Sequence, residues 1–131
     1  MLTIPQSIID ALIDHARNDF PLEACGILGG IGSVVSVHYP MVNTDQSNEH
    51  FMMEPKEQFA VVKDLRGKGL SMLAIYHSHP ETPARPSAED IRLALTPDVS
   101  YVIVSLAGEQ PDVKSYRITA GVVTPEPITI N

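Results

Sequence analysis

The chain has 131 residues, of which 44% are hydrophobic and 19% charged, with a formal charge of −7 and a sequence pI near 5.0. That length predicts one domain spanning 1–131 around one core, and the composition excludes a disordered polymer. The negative balance argues against nucleic acid as a partner. No apolar run approaches the ~20 residues of a membrane helix, and the start lacks the basic and apolar regions of a secretory signal. A soluble cytoplasmic protein is therefore expected.

Ile4, Ile8, Ile9, Leu12, Ile13 and Ala16 recur at helical spacing, which predicts a first helix over 4–16 with Thr3 as N-cap and Pro5 in its first turn. After Pro21, the run Ala24 to Gly30 reads as a buried strand entering a glycine-rich turn, and Val34, Val35 and Val37 read as its hairpin partner. A polar loop over 43–49 leads to a short strand over 51–53. Pro55 opens a second helix whose stripe is Phe59, Val62 and Leu65 and which stops at Gly67 and Gly69. Leu70 to Tyr76 reads as a central strand, and the proline-rich segment 77–86 as a loop. A third helix is predicted over 87–95, ending before Pro97, followed by strands over 101–106, 113–118 and 122–130. The mixture predicts an α/β domain built on one mixed sheet, with strand order left open.

The chemistry concentrates where the central strand ends. His77 and His79 are two apart, and strand alternation points both imidazoles to one side, where they can share an ion. Zinc favours imidazole nitrogen and carboxylate oxygen in a tetrahedral set, and a catalytic site keeps one position for water. Asp90, one turn into the helix beginning at Ser87, could supply the carboxylate. Two neutral histidines and one carboxylate leave the ion with net positive charge, enough to bring a bound water toward a pKa of ~7. A carboxylate outside the ligand set is still needed as general base, and Glu23 beside the first strand is the candidate. Each residue also has a plainer reading. Ser87 and Asp90 fit an S-x-x-D capping box, a His-x-His pair arises by chance on surfaces, and Glu23 alone fits a solvated turn.

Taken together these residues form one ordered pattern: Glu23 in Pro-Leu-Glu-Ala-Cys-Gly-Ile-Leu-Gly-Gly, then His77-x-His79, seven intervening residues, and Ser87-x-x-Asp90. The pattern resembles the JAMM motif of the MPN-domain metalloproteases at every position, and the likeness extends over nearly the whole chain without the large insertions of eukaryotic deubiquitinating members. The resemblance implies a cytidine deaminase-like fold, a curved mixed sheet flanked by helices. It implies one Zn2+ per chain on His77, His79 and Asp90, water activation by Glu23, and stabilisation of the tetrahedral intermediate by Ser87. Short prokaryotic members of this kind are similar to enzymes that act after the C-terminal Gly-Gly of ubiquitin-like sulfur-carrier proteins, so such a carrier, in a setting such as cysteine biosynthesis, is the implied substrate. Its extended tail would suit strand addition, with loops 43–49 and 81–86 as candidate walls. Ala74-Ile75-Tyr76 departs from the glycine and tryptophan that similar proteins often carry before the histidines, which is expected to alter packing or substrate fit.

Other readings compete with this one. Cys25 could be the nucleophile of a cysteine hydrolase with a histidine as base, although a small residue in an apolar strand is more often buried and inert. Its being the sole cysteine excludes an internal disulfide and fits a reducing compartment. The chain could be a metal-free MPN scaffold that binds protein partners. A cytidine deaminase would need Pro-Cys-x-x-Cys ligands that are absent here. His15, His38 and His50 have no ligand spacing, and the methionines read as core filler. The sequence is silent on oligomeric state.

Overall fold

The computed structural model describes residues 1–96 and 98–131. Its elements in chain order are β1 (Leu2–Ile4), α1 (Gln6–Asp19), β2 (Cys25–Ile31), β3 (Val34–Met41), α2 (Pro55–Gly67), β4 (Ser71–His79), α3 (Ala88–Arg92), β5 (Ser100–Ser105), β6 (Asp112–Thr119), β7 (Val122–Glu126) and β8 (Ile128–Ile130). The eight strands of the described residues join one mixed sheet in the order β7-β6-β5-β4-β2-β3-β1-β8, with β4 and β5 parallel near its centre. β7 and β8 stand at opposite ends of that order, yet only Pro127 separates them in sequence. The sheet must therefore curl until its edges meet.

Both faces of the sheet are covered, because the strand alternation is apolar on both sides. On one face, Ile9, Leu12 and Ala16 of α1 pack on Leu28, Ala74, Tyr76, Val102 and Val104. On the other, Val61 and Leu65 of α2 pack with Cys25, Ile27, Met41 and Met53. Beside them Tyr101, Ile103, Tyr116 and Ile118 form a separate cluster against Ala84, with Ile91 of α3 leaning on it. Gly26 lets Tyr76 lie across β2, since a Cβ there would overlap the Tyr76 ring and the Tyr39 carbonyl.

The curved mixed sheet flanked by helices agrees with expectation, and several local readings are corrected. Residues 2–4 form a strand, so α1 starts later, and Pro5 occupies the N-cap position without a side-chain cap where Thr3 was expected. Gly29 and Gly30 lie within β2, as the reading of 24–30 has them, and the turn that follows falls at Gly32 with φ +63°. Residues 51–53 make no strand, because Met52 N–H donates to Asn43 Oδ1 and Met52 O accepts from Thr44 N–H and Oγ–H. In α2 the buried stripe is Val61 and Leu65. Phe59 is 71% exposed, since two residues short of Val61 is about 160° round the helix. β4 continues through both histidines, held by Cys25 opposite His77 on one side and by Ile103 to Ser105 on the other. Pro80, which lacks an N–H, follows its last residue. α3 has five residues and buries none of them, with Leu93 and Leu95 exposed, so nothing prolongs it to 95. Pro97, read as the stop, lies outside the described residues. The last predicted strand is two, β7 on β6 and β8 on β1. Among the described residues no helix is long and apolar enough to cross a membrane.

Glu126 closes the seam. Its Oε1 accepts from Ser100 Oγ (2.6 Å) and Ser115 Oγ (2.8 Å), and Oε2 meets Arg117 Nε (3.2 Å) and the terminal amine (3.5 Å). Burial alone would raise its pKa, but these hydrogen bonds hold it below the usual carboxylate value. The folded state therefore gains stability from an ionised Glu126 above the unfolded pKa near 4.5, and loses it as pH falls through the lower folded value. Glu126→Gln should accordingly flatten the fall of Tm below pH 4.5. Glu126→Ala, which strands two buried hydroxyls, should cost about 2–4 kcal/mol at neutral pH by denaturant unfolding.

Candidate active site

The end of β2 and the end of β4 meet at a reciprocal pair of bonds. Ala24 N–H donates to Ser78 Oγ (2.8 Å), and Ser78 N–H donates to Ala24 O (2.9 Å). Glu23 is thereby held beside the strand that carries His77 and His79. Those two imidazoles lie on the α2 and α3 face, while Ser78 between them takes the opposite side. Tyr76 also points to the α1 face, where its hydroxyl meets His15 Nδ1 at 2.7 Å. The departure at 74–76 thus acts on packing behind the site.

α3 delivers the third group. Ser87 is its N-cap, with Asp90 N–H donating to Ser87 Oγ (3.0 Å) and Ser87 N–H donating to Asp90 Oδ2 (2.9 Å), so the capping box is formed. The same Asp90 Oδ2 lies 3.1 Å from His77 Nε2 and 3.0 Å from His79 Nε2, which are themselves 3.1 Å apart. The capping reading and the ligand reading describe one carboxylate. Ser87 Oγ accepts a bond at the cap and keeps its own proton free to donate, and its side chain is exposed.

The loop between the histidines and α3 is fastened carbonyl by carbonyl. Ser105 Oγ donates to Thr82 O (2.6 Å), His79 Nδ1 donates to Pro83 O (2.8 Å), and Tyr116 Oη donates to Ala84 O (2.5 Å). With its proton on Nδ1, a neutral His79 presents a bare lone pair from Nε2. Two imidazole nitrogens and a carboxylate oxygen then converge, and with the His79 proton on Nδ1 at most the one proton of a neutral His77 is left for three contacts, an arrangement that a cation resolves. Ligands of a tetrahedral zinc at roughly 2.0–2.2 Å are separated by about 3.4 Å. The donor set therefore fits such an ion in chemistry and in size, and among the described residues it is the group that could hold a metal. Burial would raise the Asp90 pKa, yet the bonds from His77 and His79 hold it far below the carboxylate range. Burial would lower the His79 pKa, and Asp90 with Pro83 O instead raises it.

Glu23 is 2% exposed, and its Oε1 has no hydrogen-bond partner among the described residues. Burial pushes its pKa up to about 8, with Asp90 and Glu89 adding to the rise and His79 opposing it. A carboxyl so placed is poised to exchange a proton near neutral pH. Cys25 is fully buried, its thiol pushed up to about 12 mainly by burial, and both histidine Nε2 atoms are engaged with Asp90. Among the described residues the Cys25 Sγ meets only Met41 O (4.0 Å) and no base, so the cysteine-hydrolase reading finds no geometric support.

A cavity of about 290 Å³ opens on His77 and Asp90 from between α2 and α3, with Phe51, Met53, Val62, Ile75, Leu93 and Ile103 among its walls. Residues 50–53, which adjoin the loop 43–49 read as a substrate wall, and Pro86, the last residue of the other such loop, line it as well. Phe51 stacks on the His77 ring at 4.7 Å with planes 23° apart, and His77 Nδ1 lacks a partner among the described residues. Sequence reasoning missed Phe51, Ser78 and Asn43. Ser78 between two histidines was the one visible signal.

In the metal-free protein the raised Glu23 pKa favours folding while the group is protonated, fully below pH 4.5, and that contribution disappears as pH rises through about 8. With a chelator present, Glu23→Gln should therefore have a Tm above that of the parent at pH 8, by ~3 °C or more. The gap should shrink toward pH 5, as scanning calorimetry at the two pH values would show.

Residues 5–119 match the family model described as prokaryotic homologs of the JAB domain. The CysO-cysteine peptidase of Mycobacterium tuberculosis is 37% identical over 133 residues, covering 99% of this chain and 91% of that protein. A probable TtuB-protein conjugate cleaving protease of Thermus thermophilus is 35% identical over 109 residues, covering 82% and 72%. The solution structure of a Desulfitobacterium hafniense protein superposes with a TM-score of 0.91 at 48% identity, covering 100% and 93%.

Proposed function

The chain belongs to the JAB-domain family in its prokaryotic branch (the JAMM/MPN proteins), and on that premise we propose that it is a zinc-dependent hydrolase. In this reading it is one domain over 1–131 that cleaves after the C-terminal Gly-Gly of a ubiquitin-like sulfur-carrier protein in the cytoplasm. The observation that carries the reading is the convergence of His77 Nε2, His79 Nε2 and Asp90 Oδ2 within 3.1 Å of one another, together with a buried Glu23 whose Oε1 has no hydrogen-bond partner among the described residues. The similarity to a CysO-cysteine peptidase and to a TtuB-conjugate protease supports the substrate class.

His77, His79 and Asp90 would hold one Zn2+, which when bound supplies Lewis acidity and brings a water's pKa toward ~7. Glu23 takes a proton from the attacking water as the C–O bond forms and returns it to the departing amine nitrogen as the C–N bond then breaks. The exposed Ser87 hydroxyl donates to the substrate carbonyl oxygen as charge gathers there. His79, fixed through Pro83 O, keeps its Nε2 lone pair turned inward.

Purified protein incubated with ubiquitin-like carriers extended beyond Gly-Gly should release the extension, as read by product mass. A chelator should stop the reaction and zinc should restore it. Glu23→Ala should lower turnover by about 10²–10⁴-fold while zinc stays bound, whereas His77→Ala or Asp90→Ala should lose the zinc. Folded protein without zinc or affinity for it, or cleavage that survives the chelator, would refute the reading. Thiol alkylation of the native enzyme should leave turnover intact.

A further inference from the structure

Asn43 sits in a polar loop and is buried. Its Nδ2 donates to Glu23 O (3.1 Å) and His50 O (3.0 Å), with a longer contact to Ser47 O (3.4 Å). Its Oδ1 accepts from Asp45 N–H (3.1 Å) and Met52 N–H (3.1 Å). One side chain thus closes the loop on itself at 45, 50 and 52 and ties the closed loop to the Glu23 peptide. Glu23 N–H in turn donates to Ser47 O (2.8 Å), so both backbone groups of Glu23 end on this loop.

The other end of the loop reaches the second half of the site. Phe51 lies between His50 and Met52, both bound at the backbone by Asn43, and its ring stacks on His77. His79 has a carbonyl partner for Nδ1, but His77 has none among the described residues. The hydrogen bond that usually orients a ligand imidazole is replaced here by the face of a phenyl ring. A loop that slackened would therefore free the Glu23 peptide and the His77 ring together.

We infer that Asn43 is a positioning residue for the reaction, setting Glu23 through its backbone carbonyl and His77 through Phe51, so that base and ligand keep one relative placement. The inference rests on the metal and base roles proposed above. It assigns the loop an organising role, since its buried polar groups turn inward.

The test compares the parent with Asn43→Asp and Phe51→Leu, each assayed well below its own Tm. Asn43→Asp keeps the shape and the two accepted bonds and loses the donors to Glu23, Ser47 and His50. Phe51→Leu keeps an apolar wall and loses the stack. Co2+ titrated into each protein reports the ligand geometry through its visible absorption, independently of turnover. Asn43→Asp should alter the cobalt spectrum and lower kcat by about 10–100-fold with KM unchanged. Phe51→Leu should alter the spectrum with a smaller loss of kcat, because Glu23 keeps its anchor. Folded variants with the parent's spectrum and kcat would overturn the inference. Should Asn43→Asp not fold, an unaltered spectrum in Phe51→Leu would overturn it equally. A parent that binds cobalt yet cuts no carrier would refute the proposed function while the spectra still judge the positioning. A parent that binds no cobalt would refute both.

Discussion

The antiparallel pairing of β2 with β4, closed at its end by the two bonds between Ala24 and Ser78, is the constraint on which the site depends. That pairing sets Cys25 opposite His77, so the residue just before β2 is brought to the end of β4. Register in a sheet is discrete, and a slip by one residue would turn His77 and His79 to the α1 face. Gly26 supports the register by leaving room for Tyr76, which anchors β4 to α1 through His15. The surroundings of the triad are thus settled by backbone pairing first and by side-chain bonds second.

The electrostatics of the site run against the stability of the metal-free chain. Glu23 Oε1 is buried without a partner among the described residues, and the three contacts among His77, His79 and Asp90 have too few protons between them. Buried polar groups in such a state are costly unless a charge is supplied. The rest of the molecule offsets this with two apolar faces and a well-satisfied seam at Glu126. Strain confined to a few side chains on rigid strands is what a preorganised site requires.

The candidate ligands and the candidate base were legible because their signals are local and periodic. Alternation puts His77 and His79 on one face, and the Ser87 to Asp90 spacing marks a helix start whether or not a metal is considered. The two helices with apolar stripes were legible for the same reason, as was the mixed sheet. Phe59 was misread because its apolar character was counted without its angle on the helix. β1 escaped because three residues beside a helical stripe carry no period of their own, and Ile4 extends the stripe by chance. Asn43 and Phe51 were not legible as site residues. An asparagine in a polar loop looks like any turn former, and what distinguishes this one is a return of the chain that places it beneath Glu23.

The strap from Pro80 to Pro86 bears on the spacing of the motif. Three successive carbonyls, at 82, 83 and 84, each have a dedicated donor from β4, β5 or β6. A strap pinned in three successive places has no slack to absorb an added or deleted residue, unlike an ordinary surface connection. Changing its length by one would pull α3 out of reach or release His79 from Pro83. The fixed interval between the second histidine and the serine is therefore a ruler cut by the three strands beneath it, and one of the marks on that ruler is the His79 imidazole.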